Sequence, residues 1–451
     1  MSSSTVSAIP GKGTFRRGVH PPEGKQYAAN CPIEILPPPA QVVLPLLQHT
    51  GAPCQPTVKM KEKVALGQQI ANADAFVSAP IHASISGVVQ KDSVTTLPNA
   101  RHVKTLPIVA EGEQLSGQAL WDDLYGGDWS LKDLESRDPK AIVSAVREAG
   151  IVGQGGAAFP THVKLVRNPA KPIDVILVNG CECEPYLTAD YRLMLEAPQP
   201  ILAGALLAAH AAGARQIYIA IEDNKPQAIE KLSQAAEGTG VQVAVLHTKY
   251  PMGGEKQTIL ALLGRTVPTG GLPLDVGVVV MNVATAAAVA RAVLRGKPLT
   301  HRVVTVSGAG IARPANLLTP IGVSYRELID HCGGFRSRTA RAVAGGPMMG
   351  QALGDLDAPV TKGTSGITVL TEEDVRAAQE TACVRCGRCV DVCPLNLVPT
   401  KLALASRAED WDLCRKYHLM ACMECGCCAY VCPAGIPLAQ LIRTGKAKLP
   451  R

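Results

Sequence analysis

Aromatic residues are scarce in this sequence: Phe, Tyr and Trp together make up 4% of its 451 residues. Nucleic-acid-binding surfaces combine clustered basic residues with aromatic side chains that stack on bases. Because the basic residues here are not interleaved with aromatics, we do not expect a nucleic acid as a partner. The chain also lacks a run of roughly 20 apolar residues, the length that a membrane-spanning helix requires. The nearest candidate, residues 276–290, ends at Arg291.

Signals for secretion are missing as well. The N-terminus is rich in serine and glycine and has no apolar segment of a signal peptide. The 15 cysteines show no spacing typical of a disulfide framework, which fits a reducing compartment. The net charge of +7, from 45 basic and 38 acidic residues, is concentrated near the ends of the chain. Such ends fit solvated termini as well as contacts with an acidic partner or anionic lipid. We therefore predict a cytoplasmic protein.

Eight of the cysteines form two copies of one pattern. Each copy reads C-x2-C-x2-C-x3-C-P, and residues 394–421 separate the last cysteine of the first copy from the first cysteine of the second. This spacing holds [4Fe–4S] clusters in two-cluster ferredoxins, where the fourth cysteine of each run binds the cluster of the other run. We therefore predict a first cluster held by Cys383, Cys386, Cys389 and Cys432, and a second held by Cys422, Cys425, Cys428 and Cys393.

A pair of zinc sites is the alternative, because C-x2-C pairs also bind zinc. Zinc needs only four ligands per site and does not account for two tandem runs that each end in Cys-Pro, so iron–sulfur clusters are favoured. Cys427 lies beside the predicted ligand Cys428 and leaves a rival ligand register open. Cys414, between the two runs, is interpreted as buried and inert.

The rest of the chain changes pattern several times. Residues 31–112 alternate apolar and polar residues in short runs broken by Pro and Gly, which predicts a small β-barrel or sandwich. Residues 64–89 resemble the lipoyl and biotinyl barrel-sandwich fold but lack its exposed lysine, so a carrier role is not expected. From about residue 137 to 300, buried strands alternate with helices, as in a parallel sheet covered on both faces. Residues 301–370 return to a β pattern.

These patterns predict a multidomain protein of α/β and β parts. The predicted segments are an N-terminal arm (1–30), a barrel-sandwich hybrid domain (31–112), a polar linker (113–136), an α/β domain (137–300), a second β-rich domain (301–370) and the helical two-cluster module (371–451).

A glycine-rich segment, residues 153–164, is the second candidate for chemistry. Gly153, Gly155 and Gly156 allow the backbone to approach a ligand closely, and a helix that starts soon after them would aim its N–H groups at a phosphate. Lys164 would add a positive charge. The spacing is not that of the dinucleotide-binding G-x-G-x-x-G motif, so this segment alone is a weak signal.

Two further polar clusters follow predicted strands. Asn179, Glu182 and Glu184 lie where the strand at residues 173–179 ends, and residues 249–257 follow the strand that ends at Leu246. The second cluster contains glycines and an aromatic residue, and Asn282 lies at the end of the next strand. Ligands of open α/β sheets bind at the carboxyl ends of the strands, so these clusters predict a binding site.

In this order, ahead of the cysteine runs, the three clusters resemble the FMN- and NADH-binding segments of the flavoprotein subunit of respiratory complex I. The chain departs from that family at Ala158, Cys181, Gly254 and Ala284, where the family has glycine, aspartate, glutamate and glutamate. The matching residues are Gly153, Gly155, Gly156, Phe159, Pro160, Thr161, Lys164, Asn179, Glu182, Glu184, Pro185, Tyr250, Gly253, Glu255 and Asn282.

Nearly the whole chain resembles the RnfC/RsxC family, whose members belong to the Rnf/Rsx ion-translocating electron-transport complexes. The resemblance rests on Gly18-Val-His-Pro-Pro-Glu23, the barrel-sandwich pattern, residues 155–164, residues 250–257 and the two Cys-Pro runs. It implies that residues 137–300 form a Rossmann-like FMN- and NADH-binding domain and that residues 301–370 form a β-grasp domain.

The resemblance also implies the cofactors and their ligands. It implies two [4Fe–4S] clusters and FMN as cofactors and NAD(H) as the substrate. The hydride step at FMN requires no side chain as a general acid. Residues 153–164 would hold the FMN phosphate, Glu182 and Glu255 would flank the site, and Tyr250 would orient the flavin or stack on the dinucleotide. The implied binding residues are Gly153, Gly155, Gly156, Ala157, Phe159, Lys164, Asn179, Glu182, Glu184, Tyr250, Gly253, Gly254, Glu255 and Asn282.

The implied function is electron transfer between NAD(H) and ferredoxin, coupled to ion translocation by partner subunits. The implied partners are a ferredoxin-like iron–sulfur subunit and membrane subunits, and the implied location is peripheral, on the cytoplasmic face of the bacterial inner membrane. Two alternatives stay open at this stage. One is an NADH-dependent reductase of the cobalamin-reductase type, and the other is a non-enzymatic iron–sulfur scaffold without flavin.

Overall fold

The structure is a computed structural model that describes residues 9–375 and 379–449. The first eight residues of the predicted arm, residues 376–378 and the last two residues lie outside these ranges. The described residues form four sheets, and the helices and strands follow the predicted change from β to α/β, back to β and then to helices. Short 3-10 helices occur at Lys25–Tyr27, Leu134–Ser136, Pro273–Val276 and Leu419–Ala421.

The N-terminal part forms a barrel-sandwich of two small sheets. One sheet has the order β2-β9-β7-β4 with β8 beside β9, and the other has the order β3-β5-β6. Alternate residues of β2 and β9, such as Val42, Leu44 and Ile108, are fully buried between the sheets. The strands are β1 (Ile33–Ile35), β2 (Gln41–Pro45), β3 (Gln55–Pro56), β4 (Lys63–Val64), β5 (Gln69–Asn72), β6 (Ile81–His82), β7 (Gly87–Val89), β8 (Ser93–Thr96) and β9 (His102–Ala110).

Two segments differ from their predicted assignment. The sequence pattern places strand β1 in the barrel-sandwich domain, but the strand pairs in parallel with residues 316–318 of the second β-rich domain. The predicted linker contains helix α1 (Gly117–Leu124), whose Leu120 and Leu124 are buried. Apolar residues four positions apart lie on one face of a helix, so the segment packs onto the protein as an amphipathic helix. Lys297 fixes it to the α/β domain through an ion pair with Asp123.

The α/β domain is built on a four-stranded parallel sheet of order β12-β11-β10-β13. Because β10 pairs with β11 on one side and β13 on the other, the strand order reverses beside β10, which is where such sheets bind ligands. Its elements are α2 (Pro139–Glu148), α3 (Thr161–Leu165), β10 (Val175–Asn179), α4 (Ala189–Glu196), α5 (Pro198–Ala212), β11 (Gln216–Glu222), α6 (Pro226–Ala236), β12 (Gln242–Leu246), α7 (Glu255–Leu263), β13 (Val278–Asn282) and α8 (Val283–Arg295).

Local sequence explains where several of these helices begin and end. Asp138 caps α2 by accepting the N–H groups of Lys140 and Ala141, and Pro139 occupies the first helical position, where its missing N–H costs nothing. Helix α8 begins at the cap Asn282 and ends at Gly296, which has φ of 62°.

The second β-rich domain is a six-stranded sheet of order β1-β15-β14-β18-β16-β17 with one helix. Ser324 and Glu327 form a capping box that fixes the start of that helix. Its elements are β14 (His301–Ser307), β15 (Ala315–Pro320), α9 (Tyr325–His331), β16 (Thr339–Ala344), β17 (Gln351–Ala352) and β18 (Gly366–Thr371).

The C-terminal module is helical, as predicted. Helices α11 and α14 pack closely, because Gly445 of α14 leaves room for Ser406 of α11. The helices are α10 (Arg388–Asp391), α11 (Pro399–Arg407), α12 (Trp411–Lys416), α13 (Cys427–Tyr430) and α14 (Leu438–Lys448). Within residues 9–375 and 379–449, none of the helices has both the length and the apolar character needed to cross a membrane.

We predict that Gly204→Ala destabilises the α/β domain. Helices α5 and α8 touch at Gly204, where an added Cβ would lie 1.7 Å from the carbonyl oxygen of Ala286. Overpacking of this kind costs roughly 2 kcal/mol, so the free energy of unfolding measured by chemical denaturation should fall by about that amount. Gly354→Ala is the matched control, because no atom lies within 4 Å of its added Cβ. Equal stability of the two variants would contradict the close helix contact.

Candidate functional site

The predicted binding loops meet at the carboxyl edge of the parallel sheet. Asn179 and Asn282, the last residues of β10 and β13, are paired neighbours in the sheet. The Nδ2 atom of Asn179 donates a hydrogen bond to the carbonyl of Gly253 at 2.8 Å, which ties the second and third clusters together. A Cβ on Gly155 would lie 3.4 Å from Asn282, so the glycine loop reaches the same edge. All three sequence clusters therefore border one site.

The glycine loop has the form of an anion-binding turn. Its residues Gly155, Gly156 and Ala157 are exposed, and their N–H groups donate to no acceptor in the described part of the chain. Gly156 has φ of 107°, a value that favours glycine, and a Cβ there would meet open space. Successive free amides of this kind attract phosphate groups, so the loop fits the phosphate of FMN.

Lys164 lies close to the third cluster. Its Nζ atom lies 2.7 Å from Oε1 of Glu255 and 3.0 Å from the carbonyl of Val280. Both side chains of the ion pair are partly exposed, so the lysine is open to a ligand. Helix α3, which carries Lys164, has only five residues and contributes less of a helix dipole than the sequence suggested.

Glu182 has a structural role within its loop. Its carboxylate accepts the N–H groups of Asp190 at 2.7 Å and Tyr191 at 3.2 Å, and therefore stabilises the start of α4. The residue has φ of 47°, which turns the chain sharply between β10 and α4. The carboxylate is thus bound to backbone amides of its own chain.

The N-terminal arm holds the same loop through Lys25, which sequence reasoning missed. Its Nζ atom donates to three carbonyl oxygens, those of Glu182, Glu184 and Leu187, at 2.7 to 3.1 Å. Burial lowers the pKa of Lys25. The only signal in the sequence was its position directly after the Gly18–Glu23 opening, which gives no indication of a partner more than 150 residues away.

The Nδ2 atom of Asn282 donates a partly buried hydrogen bond of 2.6 Å to Oδ2 of Asp190. Burial, followed by the charge of Glu182, raises the pKa of Asp190 to about 7. The carboxyl group therefore keeps its proton to a higher pH than an exposed aspartate does.

Glu184 joins three parts of the protein. Its carboxylate accepts the N–H groups of Met348 at 3.2 Å and Met349 at 2.8 Å, both from the second β-rich domain. Burial raises its pKa to about 7. The hydroxyl of Tyr250 lies 3.3 Å from the same carboxylate and donates to the carbonyl of Cys425 in the C-terminal module at 2.8 Å.

The position of Tyr250 corrects one expectation. We expected its ring to orient the flavin or stack on a dinucleotide, but the residue is only 2% exposed and packs against Val19, Cys425 and Cys427. Its ring is therefore closed to a ligand. The sequence could not show this, because the residues that bury it come from distant segments.

The C-terminal module approaches closely at Gly254, one of the departures from the complex I family. A Cβ at this position would lie 2.6 Å from Cε of Met423 and 2.7 Å from Oε1 of Gln257. A side chain here requires the flexible ends of Met423 and Gln257 to move aside. The other predicted site residues, Gly153 and Phe159, lie in the hairpin that closes the glycine loop through the N–H of Gly153 and the carbonyl of Phe159.

The eight predicted cluster ligands line two separate cavities. The first cavity, about 210 Å³, is lined by Cys383, Cys386, Cys389 and Cys432. The second is lined by Cys393, Cys422, Cys425 and Cys428, together with Cys427. Each run thus supplies three thiols to one cavity and its fourth thiol to the other. Four thiols around one cavity fit a [4Fe–4S] cluster, and backbone N–H groups within 3.4 Å of the Cys393 and Cys422 sulfurs fit thiolate ligands.

The two cavities differ in their surroundings. Cys386 and its neighbours Val384 and Arg385 are exposed, so the first cavity opens on the surface. The second cavity lies beside the α/β domain, through the contacts of Cys425 with Tyr250 and of Met423 with Gly254. Cys414 is fully buried, as predicted.

Four family models match the chain. They are the RnfC barrel sandwich hybrid domain at residues 13–113, the Nuo51 FMN-binding domain at residues 146–291, the SLBB domain at residues 303–352 and the 4Fe-4S dicluster domain at residues 382–436.

Curated relatives match nearly the whole chain. The C subunit of the proton-translocating ferredoxin:NAD(+) oxidoreductase complex of Clostridium ljungdahlii is 47% identical, over 88% of this chain and 85% of the relative. The C subunit of the Na(+)-translocating complex of Acetobacterium woodii is 44% identical, over 90% of each chain. The C subunit of the ion-translocating oxidoreductase complex of Rhodobacter capsulatus is 44% identical, over 97% of this chain and 83% of the relative.

Among solved structures, a chain of an NAD+-reducing [NiFe]-hydrogenase aligns with a TM-score of 0.48 and 22% identity, over 70% of this chain and 64% of that chain. This likeness is too weak to carry an argument.

A flavin-binding α/β domain joined to two four-cysteine sites in one chain defines an iron–sulfur flavoprotein. The chain belongs to the RnfC family of the ion-translocating oxidoreductase complexes. It is therefore one subunit of an oxidoreductase that functions together with other subunits. The predicted family and fold class are confirmed, and so are FMN and the two [4Fe–4S] clusters as cofactors.

We predict a pH-dependent effect of Asp190→Asn on stability. Because the pKa of Asp190 is raised from 3.8 to about 7 in the folded chain, the folded state binds more protons than the unfolded state, and wild-type stability falls as pH rises from about 4 to about 7 and then levels off. The melting temperature of the variant relative to wild type should therefore increase between about pH 4 and pH 7. Asp275→Asn is the control, because the pKa of Asp275 is lowered by its bond with Lys171. A pH-independent difference for Asp190→Asn would contradict the buried carboxyl group.

We predict that Cys386→Ala removes one cluster and that Cys414→Ala removes none. Cys386 lines the first cavity, whereas Cys414 lies outside both. Chemical iron analysis of anaerobically purified protein should give about eight iron atoms per chain for wild type and Cys414→Ala, and about four for Cys386→Ala. Zinc in place of iron, or full iron content in Cys386→Ala, would contradict the ligand assignment.

Proposed function

We propose that this protein transfers electrons between NAD(H) and a ferredoxin-type partner through FMN and two [4Fe–4S] clusters. The observation that supports it most is the hydrogen bond from Tyr250 to Cys425, since it joins the loops of the flavin site to a ligand of the second cluster site. The names of the relatives, which are subunits of ferredoxin:NAD(+) oxidoreductase complexes, fit the same reaction.

The edge of the parallel sheet would bind FMN through groups of this chain. The free amides of residues 155–157 and the amine of Lys164 would hold the phosphate. Asn179, Glu255 and Asn282 lie at the same edge and would contact the ribityl chain and the ring. Glu182 and Glu184 would act as supports, because their carboxylates are bound to backbone amides.

FMN and the clusters, when bound, supply the conversion between a two-electron hydride and single electrons, because flavins react in both one- and two-electron steps and each cluster takes one electron. The protein's contribution is to hold the nicotinamide against the flavin and to fix the distance to the clusters. Burial of Tyr250, Cys425 and Cys427 keeps water out of the junction between the flavin site and the second cluster site.

We further propose an order for the two clusters. The cluster of Cys422, Cys425, Cys428 and Cys393 would exchange electrons with the flavin, because its cavity adjoins the α/β domain. The cluster of Cys383, Cys386, Cys389 and Cys432 would exchange electrons with the partner, because its cavity reaches the surface at Cys386. We propose that this partner is a ferredoxin-like iron–sulfur subunit, and that membrane subunits carry out ion translocation while this chain stays on the cytoplasmic face of the bacterial inner membrane.

The cobalamin-reductase and scaffold alternatives are less well supported. The relatives that cover most of this chain are subunits of ion-translocating complexes, which favours that role over a cobalamin reductase. The match to an FMN-binding domain disfavours a scaffold without flavin.

We predict that Lys164→Ala weakens FMN binding about tenfold, because the lysine would make a charge-assisted hydrogen bond to the phosphate. Fluorescence titration of flavin-free protein with FMN measures the dissociation constant. Lys171→Ala is the matched control, since it removes a similar ion pair, with Asp275, before the start of β13. In wild type, NADH should bleach the bound flavin under anaerobic conditions. Unchanged FMN affinity in Lys164→Ala would remove the phosphate assignment, and a wild-type protein that binds no FMN would overturn the proposed function.

A further inference from the structure

We propose that the barrel-sandwich domain and the second β-rich domain form a clamp that fixes the glycine loop for phosphate binding, with Arg302, Lys362 and Thr50 as positioning residues. This inference rests on the proposed role of residues 155–157 in binding the FMN phosphate. It assigns a function to two domains that contribute no residue to the predicted flavin site.

The first observation is that carbonyl oxygens along residues 150–158 are bound by donors from these two domains. From the second β-rich domain, Nη2 of Arg302 donates to the carbonyl of Gln154 at 3.2 Å, and Nζ of Lys362 donates to the carbonyl of Gly150 at 2.8 Å. From the barrel-sandwich, the hydroxyl and the N–H of Thr50 donate to the carbonyls of Ala157 at 3.2 Å and Ala158 at 3.1 Å.

The second observation is that the clamp binds only one side of the loop. The carbonyls of residues 154, 157 and 158 face the two domains, while the N–H groups of residues 155–157 are exposed and bind nothing in the described chain. A glycine-rich loop has many accessible conformations, and fixing its carbonyls selects the one in which these amides are free. Preorganised donors bind an anion more tightly than donors that must first be ordered.

The third observation concerns Gly363, which follows Lys362. A Cβ added to Gly363 would lie 3.3 Å from Cβ of Ala158 and 3.3 Å from the carbonyl oxygen of Gly156. The second β-rich domain therefore touches the loop directly, at the glycine with positive φ. An alanine at this position requires the loop to shift by a few tenths of an ångström.

The fourth observation is the charge behind the loop. Arg302 and Lys362 are 2% and 1% exposed, and neither forms an ion pair with a carboxylate in the described ranges. Arg302 also donates to the carbonyl of Lys362 at 2.6 Å, and Lys362 donates to the carbonyl of Pro80 at 2.6 Å, so the two side chains link all three domains. Burial lowers the pKa of Lys362 to about 7, so the firm positive charge is that of Arg302, whose guanidinium lies 3.2 Å from the carbonyl of Gln154. A buried positive charge this close to the free amides favours a bound phosphate.

The test compares FMN with riboflavin, which lacks the phosphate. Flavin-free full-length protein is titrated with each flavin, and fluorescence gives both dissociation constants for wild type, Arg302→Met and Gly363→Ala. We expect the dissociation constant for FMN to rise about tenfold in Arg302→Met and severalfold in Gly363→Ala, while that for riboflavin stays within about twofold. Gly354→Ala, in the same domain but with no neighbour within 4 Å of the added Cβ, should match wild type for both flavins.

The possible results distinguish a failure of the clamp proposal from a failure of the proposed FMN phosphate site. If wild type binds FMN no more tightly than riboflavin, the loop does not hold the phosphate, and the clamp fails together with that assignment. If wild type prefers FMN but both variants keep the wild-type ratio of the two constants, the loop binds phosphate without help and only the clamp is overturned. An equal loss of affinity for both flavins also overturns the clamp, because it indicates a general structural defect and not a specific effect on phosphate binding. If Arg302→Met does not fold, Gly363→Ala still tests the clamp.

Discussion

The hydrogen bond between the hydroxyl of Tyr250 and the carbonyl of Cys425 connects the α/β domain to the C-terminal module. Electron transfer depends on a short and constant distance between redox centres, so the two modules must be held rigidly against each other. The Tyr250 hydroxyl is the donor of this bond and also lies 3.3 Å from the Glu184 carboxylate. The N–H groups of Met348 and Met349 hold that carboxylate in place. Three domains thus converge beside the second cluster site, and the chain there excludes water.

The acidic residues of the site illustrate how sequence similarity and structural role differ. Glu182 and Glu184 match positions of the complex I flavoprotein subunit, yet both carboxylates accept backbone N–H groups of this chain. Both residues follow the end of a strand, where ligand-binding residues are expected. Their hydrogen bonds nevertheless give them a structural role. At Gly254, where complex I has a glutamate, the side chain of Met423 from the cluster module occupies the space next to the backbone.

Much of the fold and the cluster sites followed from local sequence. The two Cys-Pro runs are short and regular, so their spacing predicted the division of the eight thiols between the two cavities, and Cys427 is an additional thiol at the second. Alternating strands and helices predicted the parallel sheet and the edge at which Asn179 and Asn282 lie. The helix in the predicted linker could also have been predicted from the sequence, since Leu120 and Leu124 have helical spacing.

Other features depend on contacts between distant segments and had no local signal. Tyr250 is buried by Cys425, which lies 175 residues further along the chain, and Lys25 binds carbonyls more than 150 residues away. Strand β1 pairs with β15 and so joins a sheet whose other strands all come from residues 301–371. The clamp on the glycine loop belongs to the same class, since its donors come from three places in the sequence.

We propose that electrons enter the two-cluster module through the cluster beside Tyr250. The decisive measurement is anaerobic stopped-flow reduction by NADH of the Cys386→Ala variant, which should keep only that cluster. We expect flavin bleaching followed by reduction of the remaining cluster at the wild-type rate, together with the electron paramagnetic resonance signal of a reduced [4Fe–4S] cluster. If the flavin is bleached while the remaining cluster stays oxidised, electrons do not enter through this cluster.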